Sequence, residues 1–300
     1  MIKSVYKVVS GSMGIMIAKQ VDGSKETISG AGYQAQLHLS PLNRRIVIKS
    51  YQGQNIDQLI SQLLAKAEKN NFTKIWVKAY RSDKDKFQQL GFEKEAIIKD
   101  YYPNDDAVSM AYYLNKERKE MIDRSKEERI INKLIKEGTI DNNDDLPADY
   151  KFKIAAKDDL NNLAELYDKV FESYPYPINE VDYLQQMWAE NVIYALIYDG
   201  NDLVAAASAE TVPEERNAEM TDFATLPDYR GQGLASYLLY ELEQLLRKKD
   251  YNCLYTIARA KVEGVNKIFS RAGYEYTGRL IQNCNIAGGL EDMNLWCKTI

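Results

Sequence analysis

A glycine-rich loop stands directly before a helical pattern near residue 230, and this junction constrains the fold more than any other feature of the chain. The stretch from Asp228 to Leu239 reads DYRGQGLASYLL. The run before it, AEMTDFATL, is typical of a β-strand. The run after it, LASYLLYELEQLLRKK, has apolar residues at helical spacing and ends on basic residues. The pattern therefore predicts a strand, a short loop, and a helix that begins near Leu234.

The remainder of the C-terminal half alternates between strand and helix patterns. KFKIA predicts a strand, and KDDLNNLAELYDKVFESY and NEVDYLQQMWAE predict two helices. In VIYALIYDGNDLVAAASAE an Asp-Gly turn joins two strand-like runs, which is a strong hairpin signal. After the long helix come a strand, a helix and two closing strands: NCLYTIARA, EGVNKIFSRA, YEYTGRLIQ and EDMNLWCK. This order predicts an α/β domain with a mixed sheet.

The N-terminal half contains a sequence pattern similar to that at the end of the C-terminal half. FQQLGFEKEAIIKDYY, from Phe87, has the same Phe-x-x-x-Gly-aromatic spacing as FSRAGYEYTGRLIQNC, from Phe269. In both copies a helix and a strand precede the motif and a β-rich run follows it. We interpret this as a degenerate internal duplication, although such junctions are common in α/β proteins. The first copy has no counterpart of RGQGLA, so we expect it to bind no phosphate-bearing cofactor.

A charged segment separates the two halves. Residues 114–137 predict a solvated helix with one narrow apolar face, formed by Leu114, Met121, Ile131 and Leu134. The turn-rich run GTIDNNDDLPADY follows it. We therefore divide the chain into an α/β domain at 1–113, a helical linker at 114–148 and a second α/β domain at 149–300.

Composition excludes several classes of function. The chain of 300 residues has 39 basic and 44 acidic residues, and this net charge of −5 disfavours a nucleic-acid-binding face. Its one histidine, His38, disfavours histidine-assisted nucleophiles and histidine-rich metal sites. The three cysteines form no CxxC pair, and no apolar run indicates a signal peptide or a membrane span. We expect a cytoplasmic protein without a metal, a nucleic-acid partner or a membrane anchor.

The glycine loop suits an anionic ligand. The first turn of a helix leaves backbone N–H groups without partners and carries partial positive charge, and glycines allow a phosphate to approach them. Arg230 could add a charged contact. The alternative is a tight turn in which Gly231 and Gly233 only supply unusual dihedral angles. Nucleotide-binding motifs do not match, because Gly-x-Gly-x-x-Gly would need a glycine where Ser236 stands, and the P-loop Gly-Lys-Ser/Thr is absent.

The surroundings of the loop favour one family. The pattern Arg-x-x-Gly-x-Ala from Arg230 to Ala235, followed later by NKIFSRAGY, resembles the acyl-CoA signature of the GNAT N-acetyltransferases over residues 150–300. This resemblance implies a C-terminal GNAT fold, preceded by a degenerate GNAT-like half, with acetyl-CoA as co-substrate and no metal. It places cofactor contacts on the loop, on the preceding strand and on the late helix: Arg230, Gly231, Gln232, Gly233, Leu234, Ala235, Ser236; Phe223, Ala224, Thr225; and Asn266.

A narrower resemblance concerns the acceptor. The blocks FESYPYPI, NAEMTDFATLPDYRGQGLA, YTIARA, GYEYTGRL and EDMNLW are similar to those of the β-lysine N-acetyltransferases. The resemblance implies direct acetyl transfer in a ternary complex to β-lysine, giving the compatible solute Nε-acetyl-β-lysine. Lysine, a polyamine or a protein lysine are alternative acceptors, and a CoA-binding sensor without turnover or a nucleotide-binding domain are alternative functions. A homodimer is left open.

Amide formation needs a base, because a lysine-type amine with a pKa of about 10.4 is protonated at neutral pH. Asp222 and Glu219, on the strand that enters the cofactor site, are the candidates. Regular alternation puts them on opposite faces of the strand unless a bulge intervenes. The resemblance further implies that the backbone N–H of Phe223 or Ala224 stabilises the oxyanion. The family's usual tyrosine acid is replaced by Phe269, so the leaving thiolate would take its proton from water, from another tyrosine such as Tyr255 or Tyr274, or from no group.

The acceptor pocket should offer carboxylates to a second ammonium and a donor to the substrate carboxylate. Tyr174 and Tyr176, in the YPYP segment, are expected to line its wall. Glu291 and Asp292 begin the last predicted strand, where acceptor pockets form in this family, although they could equally be edge-strand charges. Two arginines are further candidates for the carboxylate: Arg259 and Arg279.

Overall fold

The structure, a computed structural model, describes residues 23–140, 146–172, 174, 176–286 and 288–300. Two mixed sheets with helices against them account for most of this part of the chain. The first sheet has six strands in the order β1-β2-β3-β4-β6-β5. Its strands and two helices are β1 Ser24–Gly30, β2 Tyr33–Ser40, β3 Arg45–Gly53, α1 Ile56–Lys69, β4 Lys74–Tyr80, α2 Lys84–Gln89, β5 Glu93–Tyr102 and β6 Asp105–Tyr113.

A helix connects the two sheets and begins later than predicted. It spans Arg124–Glu137 (α3), with the Asp123 side chain accepting a hydrogen bond from the backbone N–H of Lys126. The predicted stripe is therefore only partly correct: Leu114 packs against the first sheet's core and Met121 precedes the helix. Ile131 and Leu134 are buried in the core of the second sheet. The designation of residues 114–148 as a linker stays a prediction.

The second sheet has seven strands in the order β12-β13-β11-β10-β9-β8-β7. The predicted hairpin, long helix and closing strands are confirmed. The elements are β7 Tyr150–Ile154, α4 Leu160–Val170, α5 Val181–Ala189, β8 Val192–Asp199, β9 Asp202–Val212, β10 Asn217–Thr225, α6 Leu234–Lys248, β11 Cys253–Arg259, α7 Glu263–Arg271, β12 Glu275–Ile286 and β13 Gly289–Thr299.

The two sheets share part of their topology. In the first, β3 runs parallel to β4, which is followed across the sheet by antiparallel β6 and β5. In the second, β10 runs parallel to β11, which is followed by antiparallel β13 and β12. The helices α1 and α6 form the two corresponding crossovers. This common order supports the duplication, which stays a prediction.

An apolar cluster joins the two sheets. Val47, Trp76 and Ile98 of the first sheet and Leu280 and Leu295 of the second are buried together in it. Removing such side chains from water is the main favourable term in packing of this kind. The sheets are therefore held with one face of β3 and β4 close to β11–β13, which brings residues far apart in sequence to the same cleft. No helix in the described ranges is long and apolar enough to cross a bilayer.

Candidate active site

The glycine loop leaves the start of α6 open. Gly231 and Gly233 both have a φ of 81°, in the left-handed region that favours glycine. A Cβ added at either position would meet no described atom within 4 Å. Gly233 is the N-cap of α6, and among the described residues no side chain caps this helix. The glycines therefore set the turn and also leave space in front of unpartnered N–H groups, which is suitable for an anion.

The corresponding helix of the first sheet differs at this point. Asn55 is the N-cap of α1, and its side-chain oxygen accepts a hydrogen bond of 3.4 Å from the backbone N–H of Gln58. One of the free N–H groups of this helix start is thus used internally. The contrast agrees with the expectation that only the second half binds a phosphate-bearing cofactor.

Strands β10 and β11 diverge beside the loop. Their parallel pairing covers only Asn217–Glu219 against Cys253–Tyr255, although β10 continues to Thr225 and β11 to Arg259. Beyond Glu219, the side of β10 that faces β11 has no strand partner in the described residues. Its backbone groups can therefore hydrogen-bond to an extended ligand that lies between the strands.

A cleft of about 1550 Å³ extends from the loop past this divergence to the first sheet. Most of the residues predicted from sequence line it: Tyr174, Tyr176, Glu219, Asp222, Phe223, Thr225, Arg230, Gly231, Gln232, Gly233, Leu234, Ala235 and Ser236. Ala224 is buried on the opposite side of β10, in the core beneath α4. The structure thus brings the loop, the strand and the tyrosine wall into one site.

A bulge places both candidate bases in the cleft. The β9–β10 register shifts between Thr221 and Ala224, and Asp222, within this bulge, has a φ of 52°. The bulge re-aims Asp222, so it and Glu219 both line the cleft despite their spacing. The hydroxyl groups of Tyr174 and Ser208 donate hydrogen bonds of 2.5 Å and 2.7 Å to the two carboxylate oxygens of Asp222.

The first sheet contributes residues that the sequence analysis missed. His38, Arg45, Lys49, Trp76 and Lys78 all line the cleft. They lie on β2, β3 and β4, far in sequence from the glycine loop. Only the packing of the two sheets brings them there, and no local motif marks them.

Comparison with known proteins agrees with this geometry. A family model described as "Acetyltransferase (GNAT) family" matches residues 160–274. N-acetyltransferase YodP of Bacillus subtilis is 35% identical over 275 residues, covering 92% of this chain and 99% of that protein.

The chain belongs to the GNAT acetyltransferase family.

Two relatives named beta-lysine N(6)-acetyltransferase also align along most of this acetyltransferase. The protein from Methanococcus maripaludis is 34% identical, covering 87% of this chain and 95% of the relative. The protein from Methanosarcina mazei is 33% identical, covering 81% of this chain and 97% of the relative. Among solved structures, the ribosomal-protein-S18-alanine N-acetyltransferase of Escherichia coli covers 50% of this chain, with 18% identity and a TM-score of 0.45.

Besides Ala224, three residues that were predicted to bind cofactor or substrate lie outside the cleft lining of the acetyltransferase. Glu291 is 4% exposed and accepts two hydrogen bonds of 2.8 Å from Arg259. Asp292 accepts from the backbone N–H groups of Ile122 and Gln282. Both carboxylates are used internally, and their binding to substrate stays a prediction that this placement does not favour.

Asn266 is engaged internally in the same way. Its side-chain amide donates to the carbonyl oxygens of Arg259 and Val262, at 2.9 Å and 2.7 Å. Its oxygen accepts from Asn294 and Trp296. With all its polar atoms engaged and its surface fully buried, Asn266 holds α7 against β13. A spacing match alone could not distinguish this packing role from a cofactor contact.

Of the two arginine candidates, Arg259 lines the cleft and Arg279 does not, and both alternative tyrosine acids lie outside the lining. Arg259 is paired with Glu291, and Arg279 lies 3.1 Å from Glu127 and is 9% exposed. Tyr255 and Tyr274 are buried outside the cleft lining. Phe269 is buried, with its ring edge-on to Phe223 at 5.4 Å between centroids, so it supports the strand as a packing residue.

The sequence analysis also missed a third carboxylate, Glu210. It lies directly opposite Glu219 in the β9–β10 register and lines the same cleft. Its side chain is exposed to the cleft. Desolvation, and then the charges of Glu219 and Asp222, raise the pKa of Glu210 to about 8. The β9–β10 register, which places Glu210 opposite Glu219, would have identified it.

The pKa of Asp222 is also raised. Desolvation is the main cause and Glu219 adds to it, whereas the hydrogen bonds from Tyr174 and Ser208 act in the opposite direction. A carboxylate with a raised pKa is a better proton acceptor than one in water, and a nearby hydroxyl fixes its orientation. The site therefore combines an uncapped helix start with space for an anion, an open strand edge and carboxylates suited to proton transfer.

Glu210→Gln is expected to stabilise the protein more as the pH rises. Because the pKa of Glu210 is raised from 4.5 to about 8 in the folded state, the folded protein binds more protons than the unfolded chain between these values. Its stability therefore falls with rising pH across that window, and the loss is complete above it. Thermal unfolding between about pH 5 and about pH 8 should show a growing difference in Tm between variant and parent.

Glu214→Gln is the control for this measurement. Glu214 is an exposed carboxylate in the turn that follows β9 and lies outside the cleft lining. Its substitution should leave the pH dependence of Tm as in the parent. A Glu210→Gln difference that is constant over the pH range would show that Glu210 has an ordinary pKa.

Proposed function

We propose that this acetyltransferase moves the acetyl group of acetyl-CoA to the side-chain amine of β-lysine, forming Nε-acetyl-β-lysine by direct transfer in a ternary complex. The names of two relatives that align along most of the chain support the choice of acceptor. The observation that carries the proposal is the meeting of the uncapped α6 start, the open edge of β10 and three carboxylates in one cleft. The role of the product as a compatible solute follows from the resemblance alone.

The cofactor would bind at the loop. In this proposal the diphosphate of CoA accepts hydrogen bonds from the backbone N–H groups of residues 231–236, where the helix dipole adds favourable charge. Arg230 is exposed beside the loop, and its Nε already donates to the carbonyl oxygen of Thr225 at 3.2 Å, which holds the guanidinium near the cleft. The pantetheine arm would lie along residues 223–225, where β10 has separated from β11.

The acceptor would enter from the side of Tyr174 and Tyr176. Its ammonium, with a pKa of about 10.4, is attracted by the carboxylates and must lose a proton before it can attack. Asp222 would take this proton, directly or through water. The free lone pair of the amine nitrogen then attacks the thioester carbonyl carbon, and the nitrogen gives its second proton to water. Collapse of the tetrahedral intermediate breaks the carbon–sulfur bond and releases the CoA thiolate.

The backbone N–H of Phe223 would stabilise the oxyanion of that intermediate, because a fixed donor in a site with little water is effective there. Its neighbour in the bulge is the proposed base, so one distortion of β10 would place both groups. Phe269 carries no acidic proton, and the thiolate would be protonated by water.

Thiol release measures the proposed reaction. We expect the purified protein with acetyl-CoA to release thiol in the presence of β-lysine, lysine or spermidine, with the highest kcat/KM for β-lysine. Mass spectrometry of the product should show one acetyl group on the side-chain nitrogen. If β-lysine is turned over no better than spermidine, the proposed acceptor is wrong. If no amine stimulates release while acetyl-CoA still binds, the protein is a sensor that does not turn over.

A further inference from the structure

Two lysines of the first sheet occupy a defined place in the cleft. The parallel pairing of β3 and β4 ends at Ile48 and Val77. Lys49 and Lys78 are the next residues on the two strands, at the point where these strands diverge, and both line the cleft. They enter it from the side opposite to β9 and β10, which carry Glu210 and Glu219.

Neither lysine has a carboxylate partner within 4.0 Å among the described residues. Lys78 donates hydrogen bonds to the hydroxyl groups of Tyr101 and Tyr255, at 3.2 Å and 2.6 Å. Its ammonium also lies 4.5 Å from the ring centroid of Tyr255, a distance at which cation–π attraction holds it in place. In the part of the chain that is described, no hydrogen bond or ion pair restrains the Lys49 ammonium.

Lys74, on the same strand as Lys78, is a buried lysine with the carboxylate partner that such a residue usually has. Its ammonium is 2.8 Å from Glu95 and also donates to the carbonyl oxygen of Ile281. Burying a charge without such a partner is costly. Lys78 is half-buried and Lys49 is exposed to the cleft, and both lack a close carboxylate, so each ammonium is available to a ligand that supplies the negative charge.

Cations of the first sheet and carboxylates of the second sheet line the same cleft. Arg45, Lys49 and Lys78 come from the first sheet, and Glu210, Glu219 and Asp222 come from the second, whose half of the chain also contributes the lining cations Arg230, Arg259, Lys267 and Arg271. Lys49 and Lys78 each lie within electrostatic range of Glu210 and Glu219. This arrangement complements a ligand with a positive charge at one end and a negative charge at the other, and it repels a ligand with cationic ends only.

We infer that Lys49 and Lys78 bind the carboxylate of an amino-acid acceptor, so that the first sheet selects a zwitterionic amine over a polyamine. The inference rests on the proposed acetyl transfer. Its physical basis is that a carboxylate between two ammonium groups gains charge-assisted hydrogen bonds in a cleft that is partly shielded from water. The first half of the chain is then part of the acceptor site and completes its specificity.

Lys49→Met tests the inference, because it removes the charge, retains the apolar stem and breaks no hydrogen bond in the described structure. The probes are β-lysine and the diamine obtained by replacing its carboxyl group with hydrogen. We expect the KM for β-lysine to rise roughly 10- to 100-fold, since a charged hydrogen bond is lost. The KM for the diamine should stay constant or fall, and Lys49→Arg should recover most of the affinity for β-lysine.

Lys69→Met is the matched control. Lys69 lies in the exposed last turn of α1 and outside the cleft lining, so its substitution should change neither KM. Equal effects of Lys49→Met on both acceptors, or no effect on either, would overturn the inference.

Binding of β-lysine to the protein–CoA complex, measured by calorimetry, tests the same contact without turnover. A parent protein that binds β-lysine through Lys49 but acetylates no amine would contradict the proposed reaction and leave the carboxylate site standing. A parent that acetylates β-lysine, but whose binding of β-lysine does not depend on Lys49, would contradict the carboxylate site and leave the proposed reaction standing.

Discussion

Gly233→Trp is expected to lower the affinity for acetyl-CoA by roughly 100-fold or more, because it blocks the start of α6. The open space in front of Gly233 is where the proposal places the diphosphate. An indole group there would displace the anion from several N–H groups, and each charged hydrogen bond contributes about 1.5–3 kcal/mol. Loss of two such bonds already gives this factor, since about 1.4 kcal/mol is tenfold in affinity. Calorimetric titration with acetyl-CoA measures the effect.

Gly200→Trp is the matched control for backbone strain. Gly200, in the β8–β9 turn, has a φ of 59°, and an added Cβ there would meet no described atom within 4 Å. It lies outside the cleft lining. A residue other than glycine in the left-handed region costs about 1–2 kcal/mol, so both variants should lose similar thermal stability. Acetyl-CoA affinity that is unchanged in Gly233→Trp would place the diphosphate elsewhere and remove the basis of the proposed cofactor site.

Asp222→Asn is expected to reduce kcat by roughly 100-fold or more, the usual contribution of a general base. Asparagine is isosteric with aspartate and tolerates a positive φ, so the bulge at this position should persist. The affinity for acetyl-CoA should stay constant, because the substituted group takes the proton of the amine and has no assigned contact with the cofactor. Single-turnover measurement of product formation separates this effect from acceptor binding.

Tyr174→Phe distinguishes a base from a merely structural carboxylate. The tyrosine hydroxyl donates to Asp222 and thereby lowers its pKa, so removing the hydroxyl should raise that pKa. The acidic limb of the kcat/KM profile is then expected to move to higher pH. Asp202→Asn, at the exposed first residue of β9, serves as the matched substitution outside the cleft. If Asp222→Asn retains the parental kcat, Glu219 or Glu210 becomes the candidate base.

The cofactor side of the site could be predicted because it lies in one short stretch of sequence. From residue 217 to residue 236 the chain forms β10, the loop and the first turn of α6, and apart from the bulge at Asp222 these elements are indicated by local rules. Strand periodicity located β10, glycine at positive φ located the loop, and helical periodicity located the start at Leu234. Asn266, matched by spacing at a distance, lies outside the cleft lining and has its polar atoms engaged internally.

The acceptor side could not be predicted to the same extent because its residues come from separate strands. Glu210 reaches the cleft through the hairpin register, and Asp222 reaches it through a bulge that regular alternation does not indicate. The internal pair of Glu291 was missed for a similar reason: its partner Arg259 lies on β11, beside it in the sheet but distant in sequence. A charged residue on a strand is assigned to a ligand or to an internal pair only when its neighbours across the sheet are known.

The sequence by itself determined the order of helices and strands, the mixed-sheet class and the exposed helix start, because these depend on periodicity and backbone conformation over a few residues. Tertiary structure alone decided that Lys49 and Lys78 face Glu210 and Glu219 across a single cleft. That pairing depends on burial of Val47, Trp76 and Leu295 between the two sheets. The local sequence does not specify which apolar surface packs against which. The arrangement of the two halves is therefore set only when both surfaces pack together.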